Sequence, residues 1–292
     1  MLMLFFTGLF AGTIDAIAGG GGLITLPVLF SLGVPPHLAF GTNKLQGTIG
    51  TLMATFRFYR RGFLSFNHLW LGLIFGFIGA VLGAVTTQIL SSDILKKIIP
   101  VLLCIILLYT VFTPKLGNRD EKPRMKEWWF YLIFGLTLGF YDGFFGPGVG
   151  SFWVFSLTFL LGFNLIKATA YTKVFNLNSS LIAMVCFAVS GNIDYKIGLC
   201  MAAGQLIGGR LGANLAMTKG IKIIRPLFLI MVTGTIGSLV WRSYTSSDRF
   251  AIMLSHYGRA MPILLVLLLF VSFIFLYLRI TRKQKTELDQ GA

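Results

Sequence analysis

Long apolar runs parted by short polar stretches dominate the chain. Gly62 to Ser92 contains no Asp, Glu, Lys or Arg, and the same holds for Ile98 to Pro114, Val174 to Ile193, Pro226 to Trp241 and Ala260 to Leu278. About 20 predominantly apolar residues suffice for a helix to cross a bilayer. In lipid every backbone amide needs an internal partner, which leaves helices or closed barrels. The alternation of a barrel strand is absent, so the runs are read as helices. The pattern predicts apolar elements over about residues 2–33, 38–58, 66–90 and 95–113, then 129–161, 167–189, 195–216 and 222–241, with one more over 260–278.

The first eight elements form two sets of four. With a shift of 129 residues, Ala39 meets Ala168, Lys44 meets Lys173, Thr51 meets Ser180, Gly62 meets Gly191, Gly79 meets Gly208 and Gly83-Ala84 meets Gly212-Ala213. Upstream, the shift is 127, with Gly8 on Gly135 and Asp15 on Asp142. An ordered series of matches is the signature of a duplication. The expected organisation is a first transmembrane repeat (1–113), a hydrophilic basic linker (114–128), a second repeat (129–244), an additional transmembrane helix (258–279) and a basic polar tail (280–292). The expected fold is an all-α polytopic membrane protein: two homologous helical repeats with broken first helices, plus one extra C-terminal transmembrane helix.

Two arrangements of the repeats fit this pattern. Four full crossings per half make them parallel, whereas a broken element that enters and turns back makes them inverted. As one helix, residues 2–33 would rise about 48 Å, long for one crossing of a bilayer core and short for two. Basic residues on the two sides nearly balance, so charge does not choose between the arrangements.

Composition agrees with a membrane setting. Of 292 residues, 55% are hydrophobic and 12% charged, against about a quarter charged in a soluble domain. The net charge of +15 does not imply nucleic acid, because the basic residues cluster at the ends of apolar elements, at Arg57 to Arg61, Lys115 to Lys126 and Arg279 to Lys285. Cys104, Cys186 and Cys200 lack metal-ligand spacing and read as buried small hydrophobes, and His37, His68 and His256 form no zinc motif. The apolar start, Met1 to Phe6, reads as the beginning of the first helix rather than a cleavable signal.

The candidate chemistry lies where the apolar pattern is violated. Asp15, Lys44, Asp142, Lys173 and Arg210 fall well inside apolar stretches. Such residues usually face a bundle interior or an aqueous cavity on a transport path. A plainer alternative is that pairs within each half, Asp15 with Lys44 and Asp142 with Lys173, pin helices together. Just after each aspartate comes a helix-breaking run, Gly19-Gly20-Gly21-Gly22 in one half and Gly146-Pro147-Gly148 in the other. A broken helix exposes unpaired amides, and the N-terminus of a half-helix carries partial positive charge, which suits an anion. Neither run is a nucleotide-binding motif. Lys44, Thr48, Thr51 and Thr55 share a helix face, as do Lys173, Asn176 and Ser180, and Asn43, Gln46 and Asn178 lie near these stripes. Arg210 has no charged counterpart, since Val81 stands in the equivalent place. The candidate binding set is Asp15, Gly19, Gly20, Gly21, Gly22, Asn43, Lys44, Thr51, Asp142, Gly146, Gly148, Lys173, Asn176 and Ser180.

These residues resemble the sulfite exporter TauE/SafE family of membrane transporters. The resemblance rests on Asp15-Ala16-Ile17-Ala18-Gly19-Gly20-Gly21-Gly22-Leu23-Ile24-Thr25-Leu26-Pro27 and Gly41-Thr42-Asn43-Lys44-Leu45, then on Gly139-Phe140-Tyr141-Asp142-Gly143-Phe144-Phe145-Gly146-Pro147-Gly148 and Gly150-Ser151-Phe152. It covers about residues 1–241 and implies movement of sulfite, sulfonates or related sulfur-containing anions. The expected function is thus a secondary transporter for a small anion in a bacterial inner membrane. Its partners would be that anion, the bilayer and protons as coupling ion, with no nucleic acid, no metal and no cofactor. Asp15 and Asp142 would carry protons or hold the lysines in place. The alternative is a membrane-embedded enzyme acting on a lipid, which would normally need clustered acids, bases, nucleophiles or a metal.

Overall fold

The computed structural model of the chain describes residues 1–65, 69–95 and 120–219. Among these, every regular element is helical. The predicted elements after residue 95, over 222–241 and over 260–278 lie outside the described residues, as do Cys104, His68 and His256.

The first predicted element is two helices. α1 (Leu2–Ala18) stops at Gly19, whose φ of 73° only glycine adopts without strain. α2 (Gly22–Ser31) then starts anew and carries Pro27. α3 (Pro36–Arg60) opens on a proline, whose missing N–H costs nothing in a first turn. α4 is Trp70–Ile89. In the second half, α5 (Glu127–Phe130) runs through a π turn (Tyr131–Gly135) into α6 (Leu136–Phe144). α7 (Val149–Leu161) follows the second break. α8 (Leu165–Val189) is capped by Asn164, whose side-chain oxygen accepts from the Lys167 amide at 3.0 Å. α9 is Tyr195–Lys219.

Contact registers give the direction of each helix. Gly204, Gly208 and Gly212 of α9 press in turn on the carbonyls of Phe5, Leu9 and Thr13 in α1, so closely that a Cβ on any of the three would overlap the carbonyl. Ascending numbers on both sides mean that α1 and α9 run parallel. Gly79 and Gly83 of α4 press likewise on the carbonyls of Leu136 and Phe140 in α6, which makes that pair parallel too. Leu45 meets Gly198 and Arg57 meets Asn214, so α3 also runs with α9. Against α8 the order reverses: Gly41 meets Phe187, and Ser65 accepts from the Tyr171 hydroxyl. α4 runs with α8, with Gly72 on Phe175 and the Leu73 carbonyl on Asn178.

Both broken elements therefore turn back. Thr25 meets Asn43 and the Phe30 ring meets Phe40, so α2 is antiparallel to α3 and hence to α1. Trp153 stacks on Phe175 and Phe163 packs on Tyr171, so α7 opposes α8 and hence α6. Each set enters, breaks and returns, and the second set (α6, α7, α8, α9) runs opposite to the first (α1, α2, α3, α4). The sets also exchange partners, because α1 packs on α9 and α6 on α4. Small residues make this possible, since they let helix backbones approach closely where lipid supplies no hydrophobic drive.

Burial is inverted relative to a water-soluble protein. Ile74, Phe77, Leu82 and Val85 of α4 and Leu206, Ile207 and Leu211 of α9 are exposed, while Thr25, Lys44, Gln46, Thr51, Asp142, Lys173 and Gln205 are buried. Apolar outside and polar inside is the arrangement that hydrocarbon favours. α4 and α8 are each long and apolar enough to cross a membrane. Cys186 and Cys200 are only half-buried, which corrects the reading of both as core hydrophobes. Cys200 lies on the stripe of α9 that meets α1, four residues before Gly204, and its Sγ reaches the Met1 carbonyl at 3.3 Å.

Candidate functional site

The two breaks meet. Gly19 lies against the backbone of Gly150, where a side chain on either would overlap the other, and Gly22 faces Pro147. The meeting point is level with the middle of α3, where the Thr51 hydroxyl donates to Asp15 Oδ2 at 3.3 Å.

Two ion pairs cross between the halves at this level. Lys44 Nζ donates to Asp142 Oδ1 at 2.6 Å and to the Asp142 carbonyl. Lys173 Nζ donates to the Asp15 carbonyl and lies 3.5 Å from Asp15 Oδ2. The plainer alternative of pairs within each half is therefore not the arrangement found. The exchange of helices places each lysine beneath the broken helix of the other half. Each ammonium sits at the C-terminal end of a half-helix, α6 for Lys44 and α1 for Lys173, where the last carbonyls carry partial negative charge. Gly146, with φ of 94°, leaves room for the lysine: a Cβ there would stand 2.8 Å from Lys44 Nζ.

The carboxylates differ in their surroundings. Asp142 is buried, and its Oδ2 accepts from Ser179 and, at 3.4 Å, from Ser180. Asp15 accepts from the Gly21 amide at 3.2 Å and from Thr51 at 3.3 Å, and its side chain keeps 19% of its surface open. A chain of carboxamides forms another wall. Gln205 Nε2 donates to Gln46 Oε1 at 2.6 Å, and Gln46 Nε2 donates to Asn43 Oδ1 at 2.9 Å.

These groups enclose a cavity of about 40 Å³, room for a few waters. Of the candidate binding set, Asp15, Gly19, Gly21, Gly22, Asn43, Lys44, Thr51, Asp142, Gly146, Asn176 and Ser180 line it. Gly20, Gly148 and Lys173 do not: Gly148 caps α7, and Lys173 is sealed behind Asp15. Arg210 is exposed on α9 and takes no part. Thr48 bonds its own helix at the Lys44 carbonyl.

Gln205, Gly47 and Val149 line the cavity without having been singled out from the sequence, and Ser179 was passed over for its neighbour. Gln205 is hard to find from the duplication, because the 129-residue shift places it on Gly76. A lone glutamine within the apolar run of α9 was the available signal. Asn176 Oδ1 and Gln205 Oε1 are buried with no hydrogen-bond partner among the described residues. Buried oxygens of this kind favour a polar occupant over an acyl chain.

The chain is similar to known membrane-transport proteins. The family model "Sulfite exporter TauE/SafE" matches residues 4–239. A probable membrane transporter protein of Haemophilus influenzae is 47% identical over 79% of this chain and 91% of its own. The probable membrane transporter protein YfcA of Escherichia coli strain K12 is 41% identical over 83% of this chain and 90% of its own. One from Sinorhizobium, ORF9, is 42% identical over 79% and 88% respectively. No solved structure matches the chain.

Proposed function

The chain belongs to the sulfite exporter TauE/SafE family and is a membrane transporter rather than an enzyme, and we propose that its cargo is a small anion, sulfite or an organosulfonate-like sulfur compound. One observation carries this reading: buried Lys44 and the glycine breaks of two oppositely directed half-helix pairs converge on one polar cavity, with Lys173 behind its Asp15 wall. The start of α2 and the start of α7 bring backbone amides and partial positive charge to that place. Lys44 and Lys173 add full charges, and Asn43, Thr51, Asn176 and Ser180 add neutral hydrogen-bonding groups.

The opposed directions of the two sets support an inverted duplication. Residues 1–113 and 129–244 are then the two copies, 114–128 their basic linker, 258–279 an added crossing and 280–292 a polar tail. Transporters of such a build move one bundle against the other around a fixed site near the bilayer midplane. The setting is the bacterial inner membrane, which the chain crosses several times. Protons are the coupling ion in this reading.

The test is uptake by purified protein in proteoliposomes, with sulfite, sulfate, thiosulfate and organosulfonates offered in turn. Wild-type vesicles take up at least one of them, and Lys44→Ala and Lys173→Ala, checked for monodisperse protein, lose that flux. Unaltered flux in both variants refutes the site.

A further inference from the structure

We propose that the two ion pairs have different jobs: Asp15 binds the one proton that accompanies each monovalent anion, while Asp142 stays ionised and holds Lys44. This rests on the anion reading above and specifies its coupling.

The first argument is charge. The titratable side chains at the cavity are Lys44, Asp15 and Asp142, with Lys173 directly behind Asp15. Two lysines and two aspartates sum to zero. A monovalent anion entering this set leaves an uncompensated negative charge out of water, which is strongly unfavourable. Binding one proton in the same step removes that penalty.

The second argument is the difference between the aspartates. Asp142 and Lys44 each keep 4% of their side-chain surface, and the pair is closed at 2.6 Å. The other Asp142 oxygen faces the hydroxyls of Ser179 and Ser180. Each of these donors favours the ionised form. Asp15 faces the cavity with 19% of its side chain open, and its carboxylate contacts are 3.2, 3.3 and 3.5 Å. Charge-assisted hydrogen bonds are normally about 2.7–2.9 Å, so the Asp15 charge is held much less firmly.

The groups around Asp15 complete the picture. α8 presents Lys173, α3 presents Lys44 and Thr51, α6 presents Asp142, and α2 presents the Gly21 amide. α9 brings the neutral Gln205 to the cavity while its Arg210 points outward, and α7 has no titratable residue. When Asp15 takes a proton, the Lys173 ammonium loses the carboxylate it lies against but keeps the Asp15 carbonyl. Its field then falls on the cavity, and the protonated carboxyl gains an O–H donor for an oxyanion. Proton and anion thus bind cooperatively.

Methanesulfonate is the probe, because it remains a monoanion across the working range. Its affinity for the purified full chain is measured by calorimetry in buffers of differing ionisation heat, which also counts protons. Expected for wild type is uptake of one proton per anion and a Kd that rises about tenfold per pH unit above the Asp15 midpoint. Asp15→Asn abolishes the pH slope. Thr51→Val, which removes one donor to the ionised carboxylate, moves the midpoint upward and keeps the slope. In vesicles with trapped pyranine, methanesulfonate inflow acidifies the lumen. Binding with no proton uptake, or a slope that survives in Asp15→Asn, overturns this inference and leaves the anion reading standing. Failure of methanesulfonate and every other panel anion to bind at any pH overturns both.

Discussion

Removing one member of a crossed ion pair should cost far more than removing the pair. Lys44 and Asp142 approach to 2.6 Å, where two unit charges attract by about 6 kcal/mol at an effective dielectric of about 20. At 3.5 Å, the spacing of Lys173 and Asp15, the figure is about 5 kcal/mol. Desolvation of each ion costs several kcal/mol, so either pair is close to neutral overall. Lys44→Met alone strands a buried carboxylate and should cost about 3–5 kcal/mol, as should Asp142→Asn alone. The double variant leaves no orphaned charge and should cost about 1–2 kcal/mol, giving a coupling of several kcal/mol between the sites. Lys44→Met combined with Asp15→Asn should show little such rescue, because those residues are not partnered. The measurement is tryptophan-monitored unfolding in detergent for the four proteins of each cycle. A larger coupling of Lys44 to Asp15 than to Asp142 would refute the crossed pairing and the exchange of helices that causes it.

Gly19→Ala places a side chain at φ 73° and into the Gly150 backbone, whereas Gly33→Ala meets a similar φ of 77° with nothing within 4 Å. Thermal unfolding should show a loss of about 1–2 kcal/mol at Gly33, the left-handed backbone penalty, and a collapse of folded yield at Gly19. Gln205→Leu removes the 2.6 Å bond to Gln46 and leaves a buried carboxamide oxygen unpaired, for a loss of about 1–3 kcal/mol in the same assay.

Much of the site was legible because membrane sequence is so restrictive. A carboxylate, a lysine and a glycine break are each costly in an apolar run, so Asp15, Lys44, Asp142, Lys173 and the two breaks stand out against their surroundings. The 127- and 129-residue shifts also matched residues that make matching contacts: Thr51 bonds Asp15, and Ser180 bonds Asp142. Gln205 and Ser179 escaped notice because the comparison of halves rewards likeness, and neither draws attention through a like partner. Arg210 stands out for its charge in an apolar run, yet it is exposed on α9 and does not line the cavity.

The chain's pattern by itself determined that helices form, roughly where they begin and end, where they break, and which polar groups must hide from lipid. These follow from local physics: helix propensity, the cost of glycine and proline in a helix, and the cost of a charge in hydrocarbon. It left open whether the two sets run parallel or opposed and which lysine meets which aspartate. Those answers depend on contacts between residues more than 90 positions apart, Lys44 with Asp142 and Asp15 with Lys173, which no local periodicity encodes. Close backbone packing at Gly208 against Leu9 and at Gly79 against Leu136 brings the first helix of each set onto the other set, and the crossed charges follow from that.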